Sequence, residues 1–199
     1  MFVIIFQALG WVIFGLGSFF VGVWLRGEPN KRNAEMTSMS LHLLFWITVA
    51  PSIGLGVLYP GLTHYDRELG LNPLPDHTFV KIIGILGLLT GVYLFIVSNV
   101  GLMRLGKGAS AVFLTKQLVA VDIYEQMRNP MSLGFYLASI GLGLVIRSTS
   151  ITFGSLLFVI PIHLFYLKYF EECELELRMG QTYLEYKRRV PFLFPKVNI

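Results

Sequence analysis

Apolar residues in this chain come in long unbroken runs separated by short polar stretches. Phe2 to Leu25 is the first run, and as a helix it extends about 36 Å at ~1.5 Å per residue, enough to cross a hydrocarbon core of about 30 Å. No Lys or Arg precedes it and it is too long for the apolar region of a signal peptide, so a membrane span is the expectation. Leu41 to Leu62 is the second run, with Pro51 expected to kink it and Pro60-Gly61 to end it. Phe79 to Met103 is the third, Pro130 to Ile146 a short fourth, and Ser150 to Phe170 a fifth. Only Arg147-Ser148-Thr149 separates the last two, which predicts an antiparallel hairpin. The pattern predicts an all-α integral membrane bundle of five transmembrane helices.

The stretches between the runs read as connections. Arg26 to Ser40 is expected to be a polar loop, with the turn signal Gly27-Glu28-Pro29-Asn30, and Asn72 to Asp76 a turn rather than a helix. Arg104 to Asn129 is a long linker. After the fifth span a cytosolic tail continues as helix to about Met179, where Gly180 suits a helix stop. Thr182 and Glu185 have the spacing of a capping box opening a last short helix, which Val190-Pro191 ends. The chain is one membrane domain: three spans over 1–103, then linker, hairpin and tail over 104–199. Gly15, Gly17, Gly22 and the Gly87-x-x-x-Gly91 pair suit close helix packing rather than nucleotide binding.

Composition and charge sharpen this picture. Hydrophobic residues make up 54% and charged residues 14% of 199, with mean hydropathy +0.65, a ratio uncomfortable for a soluble domain. The pI near 9.2 does not point to nucleic acid, because the basic residues sit between and after the apolar runs. Thirteen of the 16 Lys and Arg fall on one side, and only Arg67, Lys81 and Arg147 on the other. The positive-inside rule then puts the N-terminus outside and the C-terminus in the cytoplasm. The lone Cys173 excludes an intrachain disulfide and a cysteine-rich metal site. His42, His64, His77 and His163 lie on separate segments and form no metal set. His163, inside the fifth run, reads as a hydrogen-bonded core residue ahead of a functional one.

The candidate chemistry lies in two stretches. Gln117 to Gly134 holds Asp122, Glu125 and Arg128 just before Pro130 and the fourth run. Glu171-Glu172-Cys173-Glu174-Leu175, Met179-Gly180, Tyr183 and Tyr186 follow the fifth. Together they resemble the isoprenylcysteine carboxyl methyltransferase and phospholipid methyltransferase superfamily, over about the last hundred residues. The resemblance implies S-adenosylmethionine as cofactor, S-adenosylhomocysteine as product, and a membrane lipid or lipidated small acceptor. It implies a cofactor site from Gln117, Leu118, Val119, Ile123, Tyr124, Arg128, Asn129, Glu171 and Glu172, with Arg128 and Asn129 also at the catalytic position. Asn129 replaces a family His, Ser132 a Tyr and Asp122 a Gly, so acceptor identity and activity stay open.

Without the resemblance, Glu171-Glu172 reads as a solvated acidic helix start, Arg128 as a snorkelling anchor, and the segment from Leu118 to Tyr124 as an interfacial helix on lipid. With it, one of the two glutamates, Glu171 first, is expected to meet the cofactor ammonium while its neighbour turns to water, since helix neighbours diverge by about 100°. Asp122 and Glu125 are the acids available as a base, and neither is assigned that role. A non-enzymatic transporter or assembly subunit, and a reductase-like relative of the same fold, are the competing readings. Oligomeric state is not legible.

Overall fold

The computed structural model describes residues 2–58, 61–106 and 116–196, apart from the side chains of Ser52 and Thr63. Pro60 and Lys107 therefore lie outside the described residues. α1 runs Phe2–Gly27 and α2 Lys31–Leu58, passing through Pro51. A short turn of helix, α3, spans Tyr65–Glu68, and α4 spans Thr78–Leu105. α5 is one turn, Ile123–Gln126; α6 covers Pro130–Val145, α7 Thr149–Met179 and α8 Gln181–Arg189. Among the described residues α1, α2, α4 and α7 are long and apolar enough to cross a membrane. α6, with 16 residues, reaches only about 24 Å, so length alone gives four spans and one shorter apolar helix rather than five.

The loop expected over Arg26 to Ser40 contracts to 28–30. Asn30 is the reason: its Oδ1 accepts the Asn33 N–H at 2.8 Å and its carbonyl accepts the Ala34 N–H at 3.0 Å, capping a helix that starts early. The polar start of α2 is not solvated all round. Ala34, Thr37 and Ser38 are buried, and Ala34 packs with Phe170, Cys173 and Leu177 of α7.

α4 and α6 form the tightest pair. A Cβ built on Gly91 would meet the backbone N of Ala138 at 2.3 Å, and one on Gly141 the backbone N of Leu88 at 2.4 Å. Gly134 faces Gly91 in the same seam, its Cβ 2.7 Å from that carbonyl. Without side chains between them the two backbones touch, the arrangement expected where lipid offers no hydrophobic drive. On the outer face of α4, Ile82, Leu86, Leu89, Tyr93 and Ile96 are exposed, as a lipid-facing surface requires.

The hairpin between α6 and α7 is held from outside. Asp66 is buried and its carboxylate accepts the N–H groups of Thr149 (2.9 Å) and Ser150 (2.6 Å) and the Ser148 hydroxyl (3.3 Å). It thereby satisfies the open amides at the start of α7 from a distant segment. Arg147, at φ +60, bonds Leu74 through both its Nε and its carbonyl at 2.9 Å. This clamp sets α7 running back along α6.

α7 departs from regular α geometry at two π-type turns, Ser155–Val159 and Leu167–Glu171, a feature frequent at functional sites. Gly180, at φ +60, ends α7 as expected, but α8 opens without the Thr182 capping box. The Gly180 carbonyl takes the Tyr183 and Leu184 amides at 3.1 and 3.3 Å, so the helix begins at the glycine and Thr182 lies inside its first turn.

Gly91→Val should lower stability by about 1–3 kcal/mol or more through overpacking, while Gly54→Ala, with nothing within 4 Å, should not lose stability; thermal unfolding in detergent compares them. The Asp66 clamp carries a pH signature. Burial raises its pKa, but the Ser150, Thr149 and Ser148 donors outweigh that and hold it below the ordinary carboxylate value. Its stabilisation is therefore full above the unfolded pKa, near 3.9, and is lost as pH falls through the folded one. The unfolding-temperature gap between wild type and Asp66→Asn should narrow over that acidic window.

Candidate functional site

The linker reaches the site through a tight turn. The Tyr124 N–H donates to the Val121 carbonyl at 3.1 Å, and Asp122 between them has φ 55 and ψ −126. These are the angles of the first central residue of a type II′ turn, a position glycine favours. The Asp122 side chain is exposed, as is Glu125, and neither lines the cavity described below. Neither acid is therefore placed as a base there.

Beyond α5 the chain extends beside the C-terminal segment. The Arg128 N–H donates to the Pro191 carbonyl at 2.9 Å and the Lys196 N–H to the Gln126 carbonyl at 3.1 Å. Asn129 Nδ2 donates to the Phe192 carbonyl at 2.9 Å. Half of the Asn129 amide is thus spent on holding the two segments together. Pro130 follows at the first position of α6, where its missing N–H costs nothing.

The hairpin brings the two motif halves into contact. Arg128 Nη1 lies 2.5 Å from Glu172 Oε1, with both side chains less than a tenth exposed. Lys187 Nζ on α8 meets Glu172 Oε2 at 2.9 Å and Glu176 at 2.6 Å, and Lys168 approaches Glu172 at 3.5 Å. Burial lowers the Lys187 pKa, yet its bonds to Glu176 and Glu172 raise it above the ordinary lysine value overall. Two residues further on, Glu174 is buried and pairs with Arg178 and with Ser38 of α2. Arg128 Nε is buried and has no hydrogen-bond partner among the described residues.

A cavity of about 400 Å³ opens beside this pair, within the roughly 300–1,000 Å³ of small-molecule sites. Gln117, Leu118, Val119, Tyr124, Arg128, Asn129 and Glu171 all line it. Two expected residues do not. Ile123 packs behind the wall, against Leu94, Met127 and Leu133 on one side and the lining residues Leu102, Val119 and Tyr124 on the other, because it opens α5 against α4. Glu172 turns neither to the cavity nor to water; it is buried on Arg128. The step of one residue along α7 sends Glu171 to the cavity and Glu172 to the ion pair.

The wall extends beyond the residues to which the sequence assigned a site role. Tyr183 and Tyr186, three residues apart on α8, line the cavity with Leu175 and Met179. Tyr186 Oη donates to the Tyr124 carbonyl at 2.8 Å, and Tyr124 Oη to the Ser98 carbonyl at 3.3 Å. Burial pushes the Tyr124, Tyr183 and Tyr186 phenols up, keeping all three neutral at physiological pH. Their one-sided spacing with Val190 was the available signal. At the other end Trp11 and Phe14 of α1, Phe45 and Trp46 of α2, and Phe135 with His163 form an aromatic chamber. No spacing rule links those residues. Among the described residues no group of His, Cys, Asp and Glu suits a metal ion.

A family model described as phospholipid methyltransferase matches residues 79–181, from the start of α4 to the start of α8. No curated protein and no solved structure matches the chain.

The strained turn generates a simple expectation. Asp122→Gly should raise stability by about 1 kcal/mol, the 1–3 kcal/mol of local strain less the unfolded-state entropy of glycine. A denaturation series in detergent measures it, and a loss of stability would contradict the turn assignment.

Proposed function

The chain belongs to the phospholipid methyltransferase family, and on that premise we propose that it transfers a methyl group from S-adenosylmethionine to a lipid-like or prenylated acceptor at the membrane. That cofactor, when bound, supplies a methyl group on a cationic sulfur and ends as S-adenosylhomocysteine. Its amino-acid end is a zwitterion. The residues at the cavity fit this: Glu171 presents a carboxylate that accepts no hydrogen bond from the described residues, and Arg128 holds a buried Nε without an acceptor. A buried donor without a partner costs about 1–3 kcal/mol, and an incoming carboxylate would relieve it. An acid and an arginine in the lining of one cavity, the acid accepting no hydrogen bond and the arginine keeping one donor unused among the described residues, are the observation that carries the proposal.

Each residue then has a role. Glu171 would receive the ammonium and Arg128 the carboxylate, with charge-assisted bonds. Gln117, Leu118, Val119 and Tyr124 would hold the nucleoside, and Tyr183, Tyr186 and Met179 would keep water away. Glu172, Lys187 and Asn129 would act through Arg128, by fixing its side chain and backbone. Methyl transfer is an in-line displacement, so orientation and water exclusion are the main contributions of the protein. The aromatic chamber would take the acceptor from the bilayer. By the positive-inside rule this end of the bundle would face the cytoplasm, where the cofactor is available.

Calorimetric titration of the full chain in detergent with S-adenosylhomocysteine tests the site. Wild type should bind, and Glu171→Gln should bind at least about tenfold more weakly, from loss of a charged hydrogen bond worth about 1.5–3 kcal/mol. No binding by wild type, or equal binding by the variant, would reject the assignment.

A further inference from the structure

The chamber at the far end of the cavity is aromatic, and His163 in its wall is hydrogen-bonded to Tyr136, which does not itself line the cavity. His163 Nδ1 on α7 lies 2.8 Å from Tyr136 Oη on α6. The imidazole stands edge-on to Tyr136 (5.6 Å, 86°) and Phe135 (6.2 Å, 74°) and stacks on Tyr166 (5.9 Å, 16°). Three rings and one hydrogen bond therefore fix its orientation. His163 lines the cavity, and its Nε2 makes no hydrogen bond among the described residues. An ionisable side chain inside a membrane span is costly and is usually kept for chemistry.

Its place along α7 says which chemistry. Eight residues separate His163 from Glu171, about 12 Å of helix at 1.5 Å per residue. The imidazole is thus too far along to hold the zwitterion at the Arg128–Glu171 end, and it belongs to the part of the cavity left for the acceptor. His42 also lines the cavity, but its Nδ1 bonds the Ser38 carbonyl of its own helix at 2.8 Å.

We propose that His163, oriented by Tyr136, takes the proton from the methyl acceptor, and that the accepting atom is a protic nitrogen, oxygen or sulfur rather than a carboxylate oxygen. This rests on the methyltransferase reading above. The acceptor–carbon bond forms as the carbon–sulfur bond of a methylsulfonium donor breaks, and that electron pair stays on sulfur. The acceptor proton passes to His163 Nε2, leaving an imidazolium that returns it to water. The step requires Nδ1 to carry hydrogen and donate to Tyr136 Oη, so that Nε2 holds the lone pair. A carboxylate acceptor has no proton to lose and would leave the pair without a task.

The full chain labelled with ¹⁵N-histidine in detergent micelles tests this directly, with His163→Phe identifying the resonance. The expected tautomer has a protonated Nδ1 and an unprotonated Nε2; a protonated Nε2 overturns the proposal. The same preparation, given S-adenosylmethionine carrying a labelled methyl, is offered dodecylamine, dodecanethiol or dodecanoic acid. Transfer to the amine or thiol that falls about 100-fold in His163→Phe, with S-adenosylhomocysteine binding unchanged, supports it. Transfer to dodecanoic acid, or undiminished transfer by the variant, overturns it. If none of the three is methylated, the tautomer decides. If His163→Phe no longer binds S-adenosylhomocysteine, Tyr136→Phe takes its place: a mixed tautomer and about tenfold slower transfer support the role of Tyr136, and an unchanged tautomer rejects it. Failure of wild type to bind S-adenosylhomocysteine would instead sink the methyltransferase reading itself.

Discussion

A buried ion pair, Arg128 with Glu172 at 2.5 Å, is the constraint on which the site depends. Taking two charges out of water costs several kcal/mol per ion, and mutual attraction offsets that only with good geometry and further partners. Here the further partners are present. Lys187 holds the second oxygen of Glu172 at 2.9 Å, and the Arg128 backbone is tied to Pro191. Linker, α7, α8 and the C-terminal segment therefore meet at one pair of side chains. Removing Glu172 would leave the Arg128 guanidinium buried without its carboxylate, which locks the two motif halves in one register.

The pair can form only because the scaffold behind it is stiff. Glycines along α4 and α6 bring two backbones into contact, where a side chain would force them apart. Asp66 and Arg147 clamp the far end of the hairpin, through segments more than 70 residues away in sequence. With one end of α7 fixed there, the π-type turn at Leu167–Glu171 sets the rotation of the other. That rotation decides which glutamate faces the cavity and which faces Arg128.

The cavity is consequently two environments in one volume. Near α8 it is bounded by Glu171, Arg128 and neutral tyrosines; further along α7 it is bounded by Trp, Phe and His163, the last hydrogen-bonded to Tyr136. A polar, charge-bearing molecule suits the first and an amphiphile the second. Such a division would suit the methyl transfer proposed above, between a water-soluble donor and a membrane-borne acceptor.

The apolar runs announced the long helices, because a 20-residue stretch with no charge has few alternatives in or near a bilayer. The three-residue break between Ile146 and Ser150 likewise dictated a hairpin, and with it the meeting of Arg128 and the glutamate pair. Other features rested on partners far along the chain. The length of α2 depended on the Asn30 cap and on burial against α7, which periodicity does not encode. The roles of Glu171 and Glu172 depended on helix rotation, and a one-residue difference of about 100° is set by packing. Ile123 belonged to the apolar pattern but packed beneath the cavity rather than on it. The hydrogen bond expected of His163 was found, but that its partner is Tyr136 of α6 depended on how the two helices pack. The sequence by itself determined which segments are helices, since hydrophobicity and chain length are local properties. Which side chains share a cavity was left to the tertiary structure, because that depends on distances between segments the chain does not list in order.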